Sequence, residues 1–211
     1  MVHYSQAKRQ LPKTVAAKQR ILDAAREVVA LSGWKDAQIA LIAHRAEVAT
    51  GSVYRHFDSK ADLYAQVLAM VSEKEAAVIA AIVDSEGSAA QRLVDAIYMF
   101  CLRALKGRRL AYALIAEPCE PEIDQARLRY RAALADQFAR LIAQGVKSGA
   151  FIAVEPSLGA ACVTGAFMEA LVGPLSKQGK QDAQVAQSIA ALVARMLFKQ
   201  AKLTLVSKGL K

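Results

Sequence analysis

Apolar residues recur along this chain at the spacing of an α-helix, segment after segment, and nowhere alternate at period two long enough to build a sheet. Ile21, Leu22, Ala25, Val28 and Val29 form the first stripe, within a helix over Arg20 to Ser32 that Gly33 ends. Ile39, Ile42, Ala43 and Ala46 form a second, short one. The segment Glu47-Val48-Ala49 leaves room only for a tight turn before a third helix over Thr50 to His56. Asp58 and Ser59 precede a fourth helix, from Lys60 or Ala61 to about Val83, and either side chain can cap its free amides.

Ser88 is placed to cap the fifth helix, in which Ala96 to Leu102 is apolar on every face, so protein should surround it. Gly107 ends that helix, and Leu110 to Ala116 makes a short connecting one. Pro118 and Pro121 bracket a break before a long helix over Glu122 to Ser148. Pro156 opens the helix that carries Leu158 to Leu175, and the last runs from Gln181 to about Lys202. The expected fold is all-α, with about nine helices: a small three-helix unit over residues 1–60 and a larger helical body over 61–211.

The placement of charge says more than its total. Residues 1–60 hold ten Lys and Arg against five Asp and Glu, and all three histidines (His3, His44, His56). Residues 61–198 are balanced, fourteen against fourteen, and residues 199–211 add four lysines. A basic head on a neutral body suits a partner that carries phosphates; a solubilising tail explains the same charge. The arm over residues 1–19, with Lys8, Arg9, Lys13 and Lys18 and no acid, can reach an adjacent nucleic-acid backbone or minor groove, or stay idle.

Cys101, Cys119 and Cys162 lie far apart in apolar settings, which reads as buried thiols in a reducing cytoplasm. No apolar stretch precedes residue 21, so no secretory signal is expected. Leu158 to Leu175 carries Glu169, three glycines and Pro174, and falls short of a membrane-spanning run. No metal or cofactor is expected. The body lacks histidine, a phosphate loop and ligand-spaced cysteines, which argues against an enzyme. Glu117, Glu120, Glu122 and Asp124 read as a solvated acidic loop.

Three short helices, a tight turn and a basic flank make a helix-turn-helix pattern. Residues 37–63, AQIALIAHRAEVATGSVYRHFDSKADL, closely resemble the signature of the tetracycline-repressor (TetR) family. The matching positions are Ile42-Ala43, Val48, Gly51, Tyr54-Arg55-His56-Phe57, Ser59-Lys60 and Leu63. Three positions depart from it: Glu47 and Gln38 stand where that family has Gly and commonly Thr, and Ala49 where it has Ser or Thr.

The resemblance implies a cytoplasmic regulator that binds double-stranded operator DNA as a homodimer, and a repressor released by a small apolar or amphipathic effector. A helical DNA-binding protein without a ligand switch is the alternative. The DNA-facing residues would be Gln38, Thr50, Gly51, Ser52, Tyr54, Arg55, His56 and Lys60, with base contact from the start of the third helix and phosphate contact from Tyr54, Arg55 and Lys60. Tyr54 and His56 also suit packing against the small unit. An effector pocket would draw on Tyr98, Phe100, Arg103, Tyr112, Tyr130, Phe138, Phe167 and Glu169 in the middle helices; such residues equally serve as plain core. The last two helices would dimerise, the first of them being rich in Gly and Ala.

Overall fold

The computed structural model describes residues 3–177 and 181–198, with side chains from Thr14 onward. Among the described residues there are nine α-helices and no strand. They are α1 (His3–Asp36), α2 (Ile39–Arg45), α3 (Thr50–Val53), α4 (Lys60–Val83), α5 (Ala89–Lys106), α6 (Arg108–Ile115), α7 (Pro121–Lys147), α8 (Pro156–Ser176) and α9 (Asp182–Ala194). A short 3₁₀ turn (Arg195–Leu197) follows α9. The sequence expectation carries the last helix to about Lys202, outside the described residues, but α9 ends at Ala194 and Phe198 is already extended.

The helix ends have local causes. Ser59 Oγ accepts from Asp62 N (3.0 Å) and Ser88 Oγ from Gln91 N (3.2 Å), so α4 and α5 begin on serine caps. Pro121 and Pro156 occupy the first turns of α7 and α8, where a missing N–H costs nothing. The Glu155 carboxylate accepts from Ser157 N and Leu158 N, and these bonds hold its pKa below the usual carboxylate value.

Two departures from the sequence expectation stand out. Helix α1 starts at His3 rather than near Arg20, because the polar arm continues the helical backbone of the amphipathic segment. Helix α3 is only four residues long, and Tyr54 to His56 form a turn that brings Phe57 into the core. There Arg55 N, His56 N and Phe57 N turn back onto Ser52 O and Val53 O.

Two apolar clusters hold the molecule. One gathers Ile21, Val28, Trp34, Ile42, Val53, Phe57, Leu63 and Tyr64, and also takes Ala113 from α6 and Ile123 from α7. The other fills the body from α5, α7, α8 and α9. Helix α5 meets α4, α6, α7, α8 and α9, as its apolar circumference requires. By length and composition alone α8 passes as a membrane-crossing helix, as core helices also can; 44% of its most apolar window is buried, with Val163, Phe167 and Leu171 in the body core. Its outer face carries Leu158, Ala161, Cys162, Gly165 and Ala170, all exposed. Cys162 is therefore not a buried thiol; Cys101 is, and burial pushes it up to about 12.

Candidate nucleic-acid interface and effector cavity

Helices α2 and α3 are joined by a turn whose geometry follows from how α2 ends. Val48 N donates to Ala43 O (3.0 Å) and Glu47 N to His44 O (3.2 Å), the paired bonds of a Schellman termination. That motif needs a left-handed residue at the position of Glu47, which has φ 56°. Ala49 then starts α3 with no side-chain cap, and Gln38 does the same for α2.

Behind the turn the packing is dense. Val53 and Phe57 are buried, Trp34 and Tyr64 stack at 5.0 Å, and the Tyr64 hydroxyl donates to Ala37 O (2.6 Å). In front of it the surface is open. Gln38, Thr50, Gly51, Tyr54 and Arg55 are exposed, while Ser52, His56 and Lys60 are half-buried. Lys60 Nζ lies 5.4 Å from the Tyr64 ring centroid, and neither Arg55 nor Lys60 has a carboxylate partner among the described residues. A Cβ on Gly51 would meet nothing within 4 Å, so nothing in the chain itself requires glycine there.

The head is clamped to the body through α6. Gly33 breaks α1 with φ 81°, and a Cβ there would stand 2.6 Å from both Glu117 carboxylate oxygens. Glu117 accepts from Trp34 N (3.2 Å), the Trp34 indole donates to Ala113 O (2.6 Å), and Arg109 donates to Ser32 O (2.7 Å). Buried Arg127 donates to Ala113 O, Leu114 O and Glu117 O, satisfying carbonyls at the end of α6 that have no helical partner.

On its other side α6 closes a cavity of about 300 Å³ with α4, α5 and α7. Val71, Phe100, Leu110, Ala111 and Leu114 give it apolar walls. Its polar lining comes from Ser72 and Glu75 of α4, Arg103 and Lys106 of α5 and Tyr130 of α7. Arg103 donates twice to Glu75 (2.8 and 2.7 Å), a bidentate pair on the rim. Burial first, and then the Glu75 charge, push the Tyr130 hydroxyl well above the usual phenol range, so it stays neutral.

Residues 21–67 match the family model described as bacterial regulatory proteins of the tetR family, and residues 91–193 match that of the tetracyclin repressor-like C-terminal domain. The chain belongs to the TetR family. Within that family of DNA-binding transcriptional regulators, it is 46% identical over 52 residues to the uncharacterized HTH-type transcriptional regulator TtgW of Pseudomonas putida. That match covers 25% of the chain and 39% of the relative's length. The fold is similar to that of the fatty acid degradation regulator FadR from Bacillus halodurans (TM-score 0.75, 20% identity, 84% of this chain and 94% of that one). It is also similar to FadR from Bacillus subtilis, solved in complex with stearoyl-CoA (TM-score 0.74, 20% identity, 83% and 97%).

In this TetR-family chain the eight expected DNA-facing residues lie in or beside α2, α3 and the start of α4, five of them exposed and Ser52, His56 and Lys60 half-buried. Of the eight expected pocket residues, only Phe100, Arg103 and Tyr130 line the α4–α7 cavity. Phe138 and Phe167 are fully buried and stack with one another at 5.5 Å, so they are core. Tyr98 borders a surface hollow with α9, and Glu169 edges a separate cavity between α6, α7 and α8. Tyr112 is half-buried against the body core, outside the cavity. Glu117 is a structural anchor, not part of a solvated loop. Sequence reasoning missed Ser72, Trp34 and Arg127; an arginine two turns after a helix-breaking proline pair was the one signal that could have pointed to the clamp.

Proposed function

We propose that this chain is a homodimeric repressor that binds a palindromic double-stranded DNA operator through α2, the turn and α3, and leaves it when a small apolar or amphipathic effector enters the α4–α7 cavity. The observation that carries the DNA reading is the uncovered surface around Gly51, where the protein's own packing makes no use of a missing side chain and Arg55 and Lys60 have no carboxylate partner among the described residues. Thr50 and Ser52 would read base edges, and Tyr54, Arg55 and Lys60 would hold phosphates. Lys60 begins α4, where free amides already favour an anion.

Dimerisation is supported by the outward faces of α8, α9 and the 3₁₀ turn that follows, where Leu158, Leu192 and Met196 are exposed beside small residues. The switch reading rests on α6, which borders the cavity on one side and carries Arg109 and Ala113, the partners of Ser32 and Trp34, on the other. An effector there would have to be compact, since about 300 Å³ leaves no room for a ligand such as the stearoyl-CoA bound by the B. subtilis protein. The chromosome it would act on puts it in the cytoplasm.

Role assignment is tested by salt dependence. Lys60→Ala should weaken binding to all sequences alike and shallow the salt slope by about one unit. Thr50→Ala and Ser52→Ala should instead change the preferred sequence. A Lys60→Ala protein with altered base preference and an unchanged slope would overturn the assignment.

A further inference from the structure

The wall of the α4–α7 cavity holds a buried polar group for which the protein supplies no partner. Ser72 is only 6% exposed, lines the cavity, and its Oγ has no hydrogen-bond partner. A buried hydroxyl left unpaired destabilises the fold, so its presence among apolar walls asks for a partner from outside the chain. The formal charges bordering the cavity are Glu75, Arg103 and Lys106. Glu75 and Arg103 are bound to each other in bidentate fashion, and Lys106 is exposed on the outer turn of α5. Glu75 neutralises Arg103, and Lys106 stays in solvent, so an anion drawn in against Ser72 would lose its water for little return.

The size is also informative. A cavity of about 150 Å³ lined by Leu, Ile and Phe takes up a benzene molecule. This one, at about 300 Å³, is roughly twice that.

Resting on the effector reading above, we propose that the ligand of this cavity is a compact neutral molecule with an apolar body of about two rings and one hydroxyl or carbonyl oxygen that hydrogen-bonds to Ser72, and that its carboxylate counterparts are refused. Ser72 is then a specificity residue kept at a cost to the free protein.

The test uses the full chain, calorimetry and three probes of one shape: naphthalene, 2-naphthol and 2-naphthoate. The expected order is 2-naphthol tightest, naphthalene weaker and 2-naphthoate not bound. In Ser72→Ala, 2-naphthol should lose about fivefold in affinity, the share of one neutral hydrogen bond, and naphthalene should lose nothing. The free variant should melt no lower than the parent, since the hydroxyl removed has no partner to lose. Binding of 2-naphthoate as tight as 2-naphthol, an unchanged 2-naphthol affinity in Ser72→Ala, or no binding by any probe would each overturn the ligand class. Operator release, followed by fluorescence anisotropy with the same probes, separates this from the switch itself. Should 2-naphthol bind in a Ser72-dependent way while the operator stays bound, the ligand class stands and the switch fails. Should 2-naphthoate bind and release the operator, the switch stands and the ligand class fails.

Discussion

Glu47 holds a left-handed backbone, φ 56°, that a side chain disfavours by about 1–2 kcal/mol. Family resemblance alone marks this position as strained, and the Schellman bonds of Val48 and Glu47 explain why the turn cannot relax. Glu47→Gly should therefore raise stability by about 1 kcal/mol, read as a higher urea midpoint at unchanged slope. A lower midpoint would mean that the Glu47 side chain has a partner worth more than the strain. Gly51 is the opposite case. Its Cβ position is empty space inside a short helix, so Gly51→Ala should keep or slightly raise stability, by up to about 1 kcal/mol. Operator affinity should nonetheless fall at least about tenfold, because the added methyl stands between α3 and the groove. Unchanged affinity would show that α3 does not approach DNA at this point.

Helices were legible wherever glycine, proline or serine punctuated an apolar stripe. The expected Lys60–Val83 helix is α4 itself, and the expected ends of α5, α7 and α8 lie within a few residues of those observed. Legibility failed where tertiary contacts decide. Nothing in the apolar period separates Phe167, sealed between Phe100 and Phe138, from Phe100, which reaches the cavity wall. The unpartnered Ser72 is visible only once α4 is seen against α5, α6 and α7. Nor does an acidic loop announce that one of its carboxylates, Glu117, is held by a backbone amide of α1, 83 positions away.

These contacts make α6, alongside α4, the element that joins cavity to head. Filling the cavity from α6 should separate binding from release. Ala111→Phe, whose ring has free volume to enter, should fold within about 1 kcal/mol of the parent and keep operator affinity while losing effector-driven release. Retained release, measured by anisotropy against effector concentration, would move the switch to another site.

Across the full chain, charge and shape agree on a division of labour. The basic head has its own apolar cluster, yet borrows Ala113 and Ile123 from the body, so head orientation cannot be independent of body packing. The neutral body presents α8, α9 and the 3₁₀ turn that follows outward with Leu158, Leu192 and Met196 uncovered, a face suited to a second copy. In the proposed dimer two α3 helices would read two half-sites. Sequence-specific, two-fold binding is thus the property on which the other roles depend. Footprinting of the full chain on fragments of its source genome at physiological salt, with the bound stoichiometry determined on the protected fragment, decides it. The prediction is a protected, near-palindromic site whose half-sites lie about one helical turn (34–36 Å) or a modest stretch further apart, occupied by an even number of chains. Uniform protection of all fragments with no preferred site, or a single chain bound to an unsymmetrical site, would contradict it.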